Sequence, residues 1–460
     1  MQIPFFYKKQ TMNDIPLKPS KGYMLLKKWV SYVFENLYYK RIYRINKEKI
    51  PSPGTPVVCV SNHQNSLLDA FQMLYATDNF FVHFISRADV FRNKKIAKLL
   101  YGLGLIPIYR VRDGMDKLKN NLQMFDEVEH YVNNGGMLVI YPEATHMNGN
   151  WLGRFYHSYV RIAFETAAIT NYAKEVFILP ATLYYEDFKA LQKDSLIIYS
   201  DALSLKPFYE MYQNNPRQTE EEVSRIVRHR VQEQMLDVKD VDNYVTVMDF
   251  IRYSETAYAE KSPETDMTIL PQALKVRREL EAKLSALMGK EDERLGQIYS
   301  HTSEYSRLLK KYGIDDYAFR HPARPRNLLG SALLALILLP IYIIGMLPHL
   351  PLYFITPLVT RKLEDKLMYA SIDICVWILG IPLFYLIYFL LLGFTGSWLF
   401  ALVFILILPP LGKFAIWYHR NIRQDWKRFR AKLLHKSRPK AWKKMGHLRE
   451  ELDKDLESLM

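Results

Sequence analysis

The chain contains few cysteines. Cys59 and Cys375 are the only two in 460 residues, and each lies within an apolar run. Thiols in such runs usually pack as small hydrophobic groups, so the sequence favours neither a disulfide framework nor a cysteine nucleophile. No charged segment followed by a short apolar core opens the chain. We therefore predict no secretory signal peptide and a reducing, cytosol-facing environment.

Signatures of metal and nucleotide binding are also missing. His130, His146 and His157 lie in one polar stretch without an H-E-x-x-H motif or paired cysteines, which favours scattered histidines over a metal site. Residues 133–136, NNGG, lack both the G-x-G-x-x-G pattern and a P-loop lysine, and are typical of a turn before a strand. We expect no metal and no cofactor.

The length and the change of pattern along the chain indicate more than one domain. After an N-terminal segment, 1–24, strand and helix patterns alternate over 25–210. This predicts an α/β domain with a mixed sheet flanked by helices. Residues 211–326 are charged and helix-periodic, which predicts a helical extension. Its candidate helices span 219–236, 271–287 and 291–311.

A histidine and an aspartate follow the first strongly apolar run. Residues 56–60 favour a buried strand, and SNHQNSLLD follows at 61–69, with His63 and Asp69. An imidazole can take a proton from a hydroxyl near neutral pH, and a carboxylate can hold its tautomer. The alternative from this segment alone is that His63 caps a helix beginning at Ser66 and that Asp69 is a solvated first-turn acid.

Two further segments deliver polar side chains at the ends of apolar runs. Residues 104–110, GLIPIYR, place Arg110 after a short strand, where a guanidinium could bind phosphate. YPEAT at 141–145 follows an apolar run and places Glu143 and Thr145 at a strand end, where open α/β sheets bind ligands. The alternative is that Arg110 and Glu143 form a structural ion pair.

The order of these segments resembles the four blocks of the PlsC-like glycerolipid acyltransferase family. The blocks are the histidine–aspartate segment, G-x-I-P-I-x-R, Y-P-E-x-T and an aliphatic-proline strand at 176–180; RIAF at 161–164 is a further likeness. The resemblance covers about residues 25–205. It implies that His63, oriented by Asp69, deprotonates a glycerol hydroxyl that attacks a thioester. It also implies five substrate-binding residues: Asn62, Arg110, Glu143, Thr145 and Arg161.

The chain departs from the family pattern at two places. Five residues separate His63 from Asp69, where the family has four; a loop before the helix could take up the extra residue, with Asn65 or Ser66 as N-cap. Ala144 and His146 stand where the family has the glycine and arginine of G-T-R. The phosphate contact is then absent or supplied by another arginine. The candidates are Arg112, Arg154 and Arg161.

Three long runs without a charged residue follow, at 328–359, 374–394 and 398–412. Runs of this length favour membrane segments over the alternative, a buried helical core. Four prolines interrupt the first run, so we predict a re-entrant or kinked hairpin there and a second hairpin from the other two runs, within a membrane domain at 327–417. Basic residues at 361–362, 413 and 420 flank these runs, which by the positive-inside rule places the catalytic domain and the C-terminus in the cytoplasm.

The C-terminal tail, 418–460, is strongly basic. Residues 420–444 contain eleven lysines and arginines and one acid, within a chain of formal net charge +14. Apolar and aromatic side chains alternate with the basic ones, which favours contact with anionic lipid headgroups over the alternative, a nucleic acid. These side chains are Trp426, Phe429, Leu433, Leu434 and Trp442.

The resemblance and the apolar runs together predict a multi-pass membrane O-acyltransferase of phospholipid biosynthesis. Its donor would be acyl-CoA or acyl carrier protein, and its acceptor glycerol 3-phosphate in preference to 1-acylglycerol 3-phosphate; another lysolipid stays open. The rival is a non-catalytic lipid-binding or scaffold protein that keeps the fold, with the dyad broken by the extra residue. A contact between His63 and Asp69 distinguishes the two.

Overall fold

An eight-stranded mixed sheet forms the centre of the N-terminal domain. The computed structural model describes residues 18–77, 80–109, 115–145, 147, 149–187, 191–261, 265–290, 292–322, 325–361 and 368–460. The strands are β1 Ile42–Ile45, β2 Val57–Ser61, β3 Val82–Arg87, β4 Leu105–Ile108, β5 Met137–Ile140, β6 Phe177–Tyr185, β7 Ser195–Tyr199 and β8 Leu203–Ser204. Their order is β1-β7-β6-β2-β5-β3-β4, with β8 beside β6. The predicted mixed α/β domain is confirmed.

The centre of the sheet is parallel, and its strands are apolar on both faces. β2 pairs in parallel with β5 and β6, whereas β6 pairs in antiparallel fashion with β7 and β8. Every residue of β2, β5 and β7 is buried, as expected where helices cover both faces of a parallel sheet. These helices are α1 Lys21–Val33, α2 Ser66–Ala76, α3 Lys94–Gly102, α4 Met115–Asn133 and α5 Ser158–Ala168.

Helices make up the rest of the chain. Those of the predicted extension are α6 Tyr209–Asn214, α7 Pro216–Gln232, α8 Tyr244–Lys261, α9 Leu270–Met288, α10 Glu293–Tyr312 and α11 Asp316–Arg320. The C-terminal ones are α12 Pro325–Met346, α13 Leu350–Thr360, α14 Tyr369–Thr395, α15 Trp398–Ser437 and α16 Pro439–Leu459. Within the described part of the chain, three segments are long and apolar enough to cross a membrane: Leu329–Thr360, Tyr369–Thr395 and Trp398–Ser437.

The first of these segments is interrupted at Pro348. A 3-10 turn, Leu347–His349, separates α12 from α13, as expected where proline removes a helical hydrogen bond. α12 packs along α15, α13 along α14, and α14 along α15. The hairpins and the sidedness of the membrane domain stay predictions.

Helices α15 and α16, which contain the basic tail, pack on the helices of the predicted extension. Side chains of α15 and α16, among them Leu434, Met445 and Leu452, are buried in one hydrophobic cluster with α8, α9 and α10. Trp442 packs on Phe319, with ring centroids 4.4 Å apart. Leu434 and Trp442 therefore face the protein, because inward-facing apolar residues recur at helical spacing among the basic ones.

The candidate membrane helix α14 also packs directly on the acyltransferase core. Ile374, Trp377 and Ile378 of α14 belong to the same buried cluster as the strands of the sheet. The indole of Trp29, on α1, donates a hydrogen bond to the carbonyl of Ile378 at 2.7 Å. The N-terminal end of α14 therefore lies against the domain, and α14 contacts α2.

Candidate active site

His63 and Asp69 meet at the carboxyl end of β2. His63 follows this strand directly, and Asp69 lies in the first turn of α2. The distance from His63 Nδ1 to Asp69 Oδ2 is 2.8 Å. The Asp69 side chain is 0% exposed and that of His63 is 14% exposed. A fully buried carboxylate can hold this imidazole, and the extra residue between the two has not separated them.

Two further groups fix the Asp69 carboxylate. The backbone N–H of Asn65 donates to Oδ2 at 2.7 Å, and the hydroxyl of Tyr185 donates to Oδ1 at 2.7 Å. Asn65 has extended backbone angles, φ −152° and ψ 88°, so helical geometry begins only at Ser66. The extra residue is thus taken up before the helix. Asp69 is hydrogen-bonded from three directions, as a buried charge requires.

Glu143 holds the backbone of His63. Its Oε1 accepts the His63 N–H at 2.7 Å, and its Oε2 accepts the Gly153 N–H at 2.8 Å. Burial raises the pKa of the carboxyl from 4.5 to about 7, although the two N–H groups partly oppose this effect by favouring the charged form. Both oxygens of Glu143 therefore bind backbone amides, so the structure places it as a positioning residue; contact with substrate or Arg110 stays a prediction.

The segment after Glu143 also contacts the backbone of His63. The N–H of Met147 donates to the carbonyl of His63 at 2.9 Å. Ala144 has a φ of 56°, in the left-handed region that favours glycine. The family glycine that Ala144 replaces would fit this backbone without strain. Glu143 and Met147 bind His63 on both sides of Ala144, and these two contacts hold the left-handed conformation in place.

Tyr141 is a site residue that the sequence analysis missed. Its ring stacks on the imidazole of His63, with centroids 4.2 Å apart and planes 12° apart. Its hydroxyl is buried and has no hydrogen-bond partner among the described residues. The stacking limits how far the imidazole can turn. An aromatic residue directly before the proline of Y-P-E-x-T was the available signal.

The other predicted binding residues have different surroundings. Asn62 is buried, and its amide binds the Leu183 backbone of β6, accepting the N–H at 2.8 Å and donating to the carbonyl at 3.0 Å. Arg161 forms an ion pair with Glu220 of α7 at 3.1 Å. Thr145 is exposed beside Glu143. The structure thus gives Asn62 and Arg161 protein partners, and their contact with substrate stays a prediction.

The phosphate-binding prediction falls largely outside the described residues. Arg110, Arg112 and His146 are all outside them. Arg154 is described and exposed, with its guanidinium 5.8 Å from the ring centroid of Tyr156. Arg154 therefore remains available to solvent near the loop that carries Glu143.

Comparison with known proteins identifies the domain. Residues 41–184 match the family model described as Acyltransferase. The chloroplastic 1-acyl-sn-glycerol-3-phosphate acyltransferase LPAT1 of Arabidopsis thaliana is 29% identical over 170 residues, which are 36% of this chain and 42% of that protein. The chloroplastic 1-acyl-sn-glycerol-3-phosphate acyltransferase BAT2 of Brassica napus is 30% identical over 163 residues, 35% of this chain and 42% of that protein.

A solved structure has a weaker similarity. The 1-acyl-sn-glycerophosphate acyltransferase PlsC of Thermotoga maritima shares 16% sequence identity, with a TM-score of 0.34, over 46% of this chain and 78% of that chain. The match to the family model and the placement of its motifs define an acyltransferase domain. The matched residues contain the motifs on which the resemblance to the PlsC-like glycerolipid acyltransferases rests. The match spans about two fifths of the length of the curated relatives.

Proposed function

We propose that the protein transfers a fatty acyl group from a thioester to the free hydroxyl of 1-acylglycerol 3-phosphate. The observation that carries this proposal is the 2.8 Å contact between His63 Nδ1 and the buried Asp69 carboxylate. A non-catalytic scaffold would have no need of a buried charge aligned on a histidine. The names of the two plant relatives, both 1-acyl-sn-glycerol-3-phosphate acyltransferases, support this acceptor.

The mechanism follows from the orientation of the imidazole. A carboxylate at Nδ1 favours the tautomer with its proton there, which makes Nε2 the basic nitrogen. Nε2 takes the proton of the acceptor hydroxyl as its oxygen attacks the thioester carbonyl carbon. Collapse of the tetrahedral intermediate breaks the C–S bond, and the imidazolium returns its proton to the leaving thiolate. Asp69 stabilises the imidazolium, and no covalent acyl-enzyme forms.

The position of α14 supports a membrane-bound enzyme. Its N-terminal end lies against α2, so the dyad is beside one end of the candidate spans. Arg361, Lys413 and Arg420 favour the cytoplasm for this end by the positive-inside rule. A lysolipid in the cytoplasmic leaflet would then reach the site laterally, whereas acyl-CoA or acyl carrier protein would arrive from solution.

The acceptor proposed here differs from the preference drawn from the sequence. The length of the chain and its C-terminal segments favoured glycerol 3-phosphate. These features lie outside the acyltransferase domain, so they say nothing about the residues that bind the acceptor. The relatives match within the acyltransferase domain itself. We therefore place 1-acylglycerol 3-phosphate first, with glycerol 3-phosphate and other lysolipids as alternatives to be tested.

The test is acyl transfer by the full chain in lipid nanodiscs. Palmitoyl-CoA and palmitoyl-acyl carrier protein are offered as donors, each with glycerol 3-phosphate and 1-acylglycerol 3-phosphate in parallel. We expect phosphatidate from 1-acylglycerol 3-phosphate. His63→Ala should lower kcat by about 10²–10⁴-fold, the usual contribution of a general base.

The matched control is His130→Ala, which removes a histidine from the surface of α4 and should retain wild-type kcat. Product from glycerol 3-phosphate alone would show that the enzyme catalyses the preceding acylation, that of glycerol 3-phosphate itself. If folded protein gives no product from either acceptor with either donor, the result would favour the non-catalytic alternative. Equal activity of the wild type and His63→Ala would exclude His63 as the base.

A further inference from the structure

Helix α2 begins without a cap from its own sequence. The first N–H groups of a helix lack partners within it, and a side chain just before the helix usually accepts one of them. Asn65 occupies that position, but its side chain does not bond the first turn. Asn65 thus occupies the predicted N-cap position, but another residue accepts the N–H of Leu67.

That residue is Ser371, on the first turn of the membrane helix α14. The Leu67 N–H donates to Ser371 Oγ at 2.9 Å, and the Ser371 hydroxyl donates to Asn65 Oδ1 at 2.8 Å. Ser371 is 0% exposed. A membrane helix thus supplies the N-cap of α2 from 304 residues away along the chain.

The same contacts lead to the dyad through one residue. Ser371 holds the side chain of Asn65, and the backbone N–H of Asn65 donates to Asp69 Oδ2 at 2.7 Å. This is the oxygen that lies 2.8 Å from His63 Nδ1. A rotation of the Asn65 peptide would therefore move a donor that orients the catalytic carboxylate.

Loss of the Ser371 hydroxyl would favour such a rotation. The Leu67 N–H would lose its acceptor and Asn65 Oδ1 would lose the donor that α14 supplies, which is unfavourable in a buried position. Both ends of the segment 65–67 would then be held less firmly, and so would the Asn65 N–H that binds Asp69.

We infer that Ser371 is a positioning residue, through which the docking of a membrane helix sets the geometry of the His63–Asp69 pair. This inference rests on the proposed acyl transfer. α14 is held in place independently, because Trp29 of α1 binds the Ile378 carbonyl one to two turns further along. Ser371 touches no reacting atom; it acts on the dyad through Asn65 and Asp69.

The test compares Ser371→Ala and Ser371→Cys with the wild type in nanodiscs. A thiol is a weaker donor and acceptor than a hydroxyl, so we expect kcat in the order Ser, Cys, Ala. Ser371→Ala should lower kcat about tenfold to a hundredfold, as misplacement of catalytic groups does, with each KM within about threefold.

The matched control is Thr356→Val, which removes a buried hydroxyl that donates to Asp373 of α14 at 2.9 Å. It should lower the thermal midpoint about as much as Ser371→Ala does, while keeping the wild-type kcat. An unchanged kcat in Ser371→Ala would overturn the inference. So would equal changes in both variants, which would show general destabilisation. An inactive wild type would instead refute the proposed function.

Discussion

At the scale of single residues, Glu143 connects its own loop to the loop that carries His63, eighty positions earlier in the sequence. It accepts the N–H of His63 and that of Gly153, and it is only 3% exposed. The motif placed Glu143 at the site. Its role as a positioning residue followed only from the contacts, because backbone donors leave no pattern in a sequence.

The burial of Glu143 makes stability depend on pH. Its pKa is raised from 4.5 to about 7, so between these values the folded protein retains a proton that the unfolded chain has released. The contribution to the free energy of unfolding therefore decreases as pH rises from 4.5 to 7 and is constant above that. By the free energy per pKa unit, the decrease is about 3 kcal/mol.

Glu143→Gln removes this titration. Thermal midpoints of both proteins are measured in detergent between pH 4.5 and 8. The midpoint of the wild type should fall relative to that of Glu143→Gln as the pH rises from 4.5 to 7. Glu210→Gln, at an exposed position on α6, should follow the wild type at every pH. A constant difference between the wild type and Glu143→Gln would show that the carboxyl does not titrate in this range.

At the scale of secondary-structure elements, α16 is a packed helix and not part of a free tail. Lys427 of α15 pairs with Asp315 at 2.9 Å, and Lys444 of α16 pairs with Glu304 at 2.7 Å. These pairs are partly exposed, so they contribute little to stability but fix which helix faces meet. The apolar contacts supply most of the docking energy.

Leu452 tests that docking. Its side chain is 1% exposed, so Leu452→Ala should lower the free energy of unfolding by about 2–5 kcal/mol, the usual cost of a cavity at a buried leucine. Leu433→Ala, at a position of α15 that is 53% exposed, should change it by less than about 0.5 kcal/mol. Chemical unfolding with a probe of helix content measures both. Similar midpoints for the two variants would mean that α16 is not docked in solution.

At the scale of the whole molecule, α15 extends from the predicted membrane domain to the predicted helical extension. Its 40 residues correspond to a length of about 60 Å, twice the hydrocarbon thickness of a bilayer. Beyond the apolar run, four large apolar residues one helical turn apart form an exposed stripe on the face away from Ala431 and Leu434. The stripe consists of Ile422, Trp426, Phe429 and Leu433.

This stripe refines the prediction that the basic segment contacts anionic headgroups. Neighbouring arginines and lysines would attract the phosphates, and the aromatic rings suit the interface. Nitroxide labels on Ile422→Cys and Arg423→Cys, adjacent but a quarter-turn apart, can be compared in anionic nanodiscs. We expect the label at 422 to be shielded from a water-soluble nickel chelate and the label at 423 to be accessible. Equal access, or no difference between anionic and zwitterionic lipid, would refute the contact.

The order of four motifs identified the acyltransferase family from the sequence, and uninterrupted apolar runs marked the membrane helices. Both are local properties: a strand followed by a histidine, or a run long enough for a bilayer, can be seen without knowing which segments meet. Alternation of strand and helix patterns likewise predicted the α/β domain, because the periodicity of side chains follows backbone geometry.

Only the tertiary structure decided how distant segments share the site. Whether His63 reaches Asp69 across the extra residue depended on the backbone angles of Asn65. That Ser371 caps α2, and that α16 joins the extension, depended on helices packing across hundreds of residues. Such contacts arise from burial and hydrogen-bond satisfaction in three dimensions, and neither spacing nor composition along the chain encodes which partner is chosen.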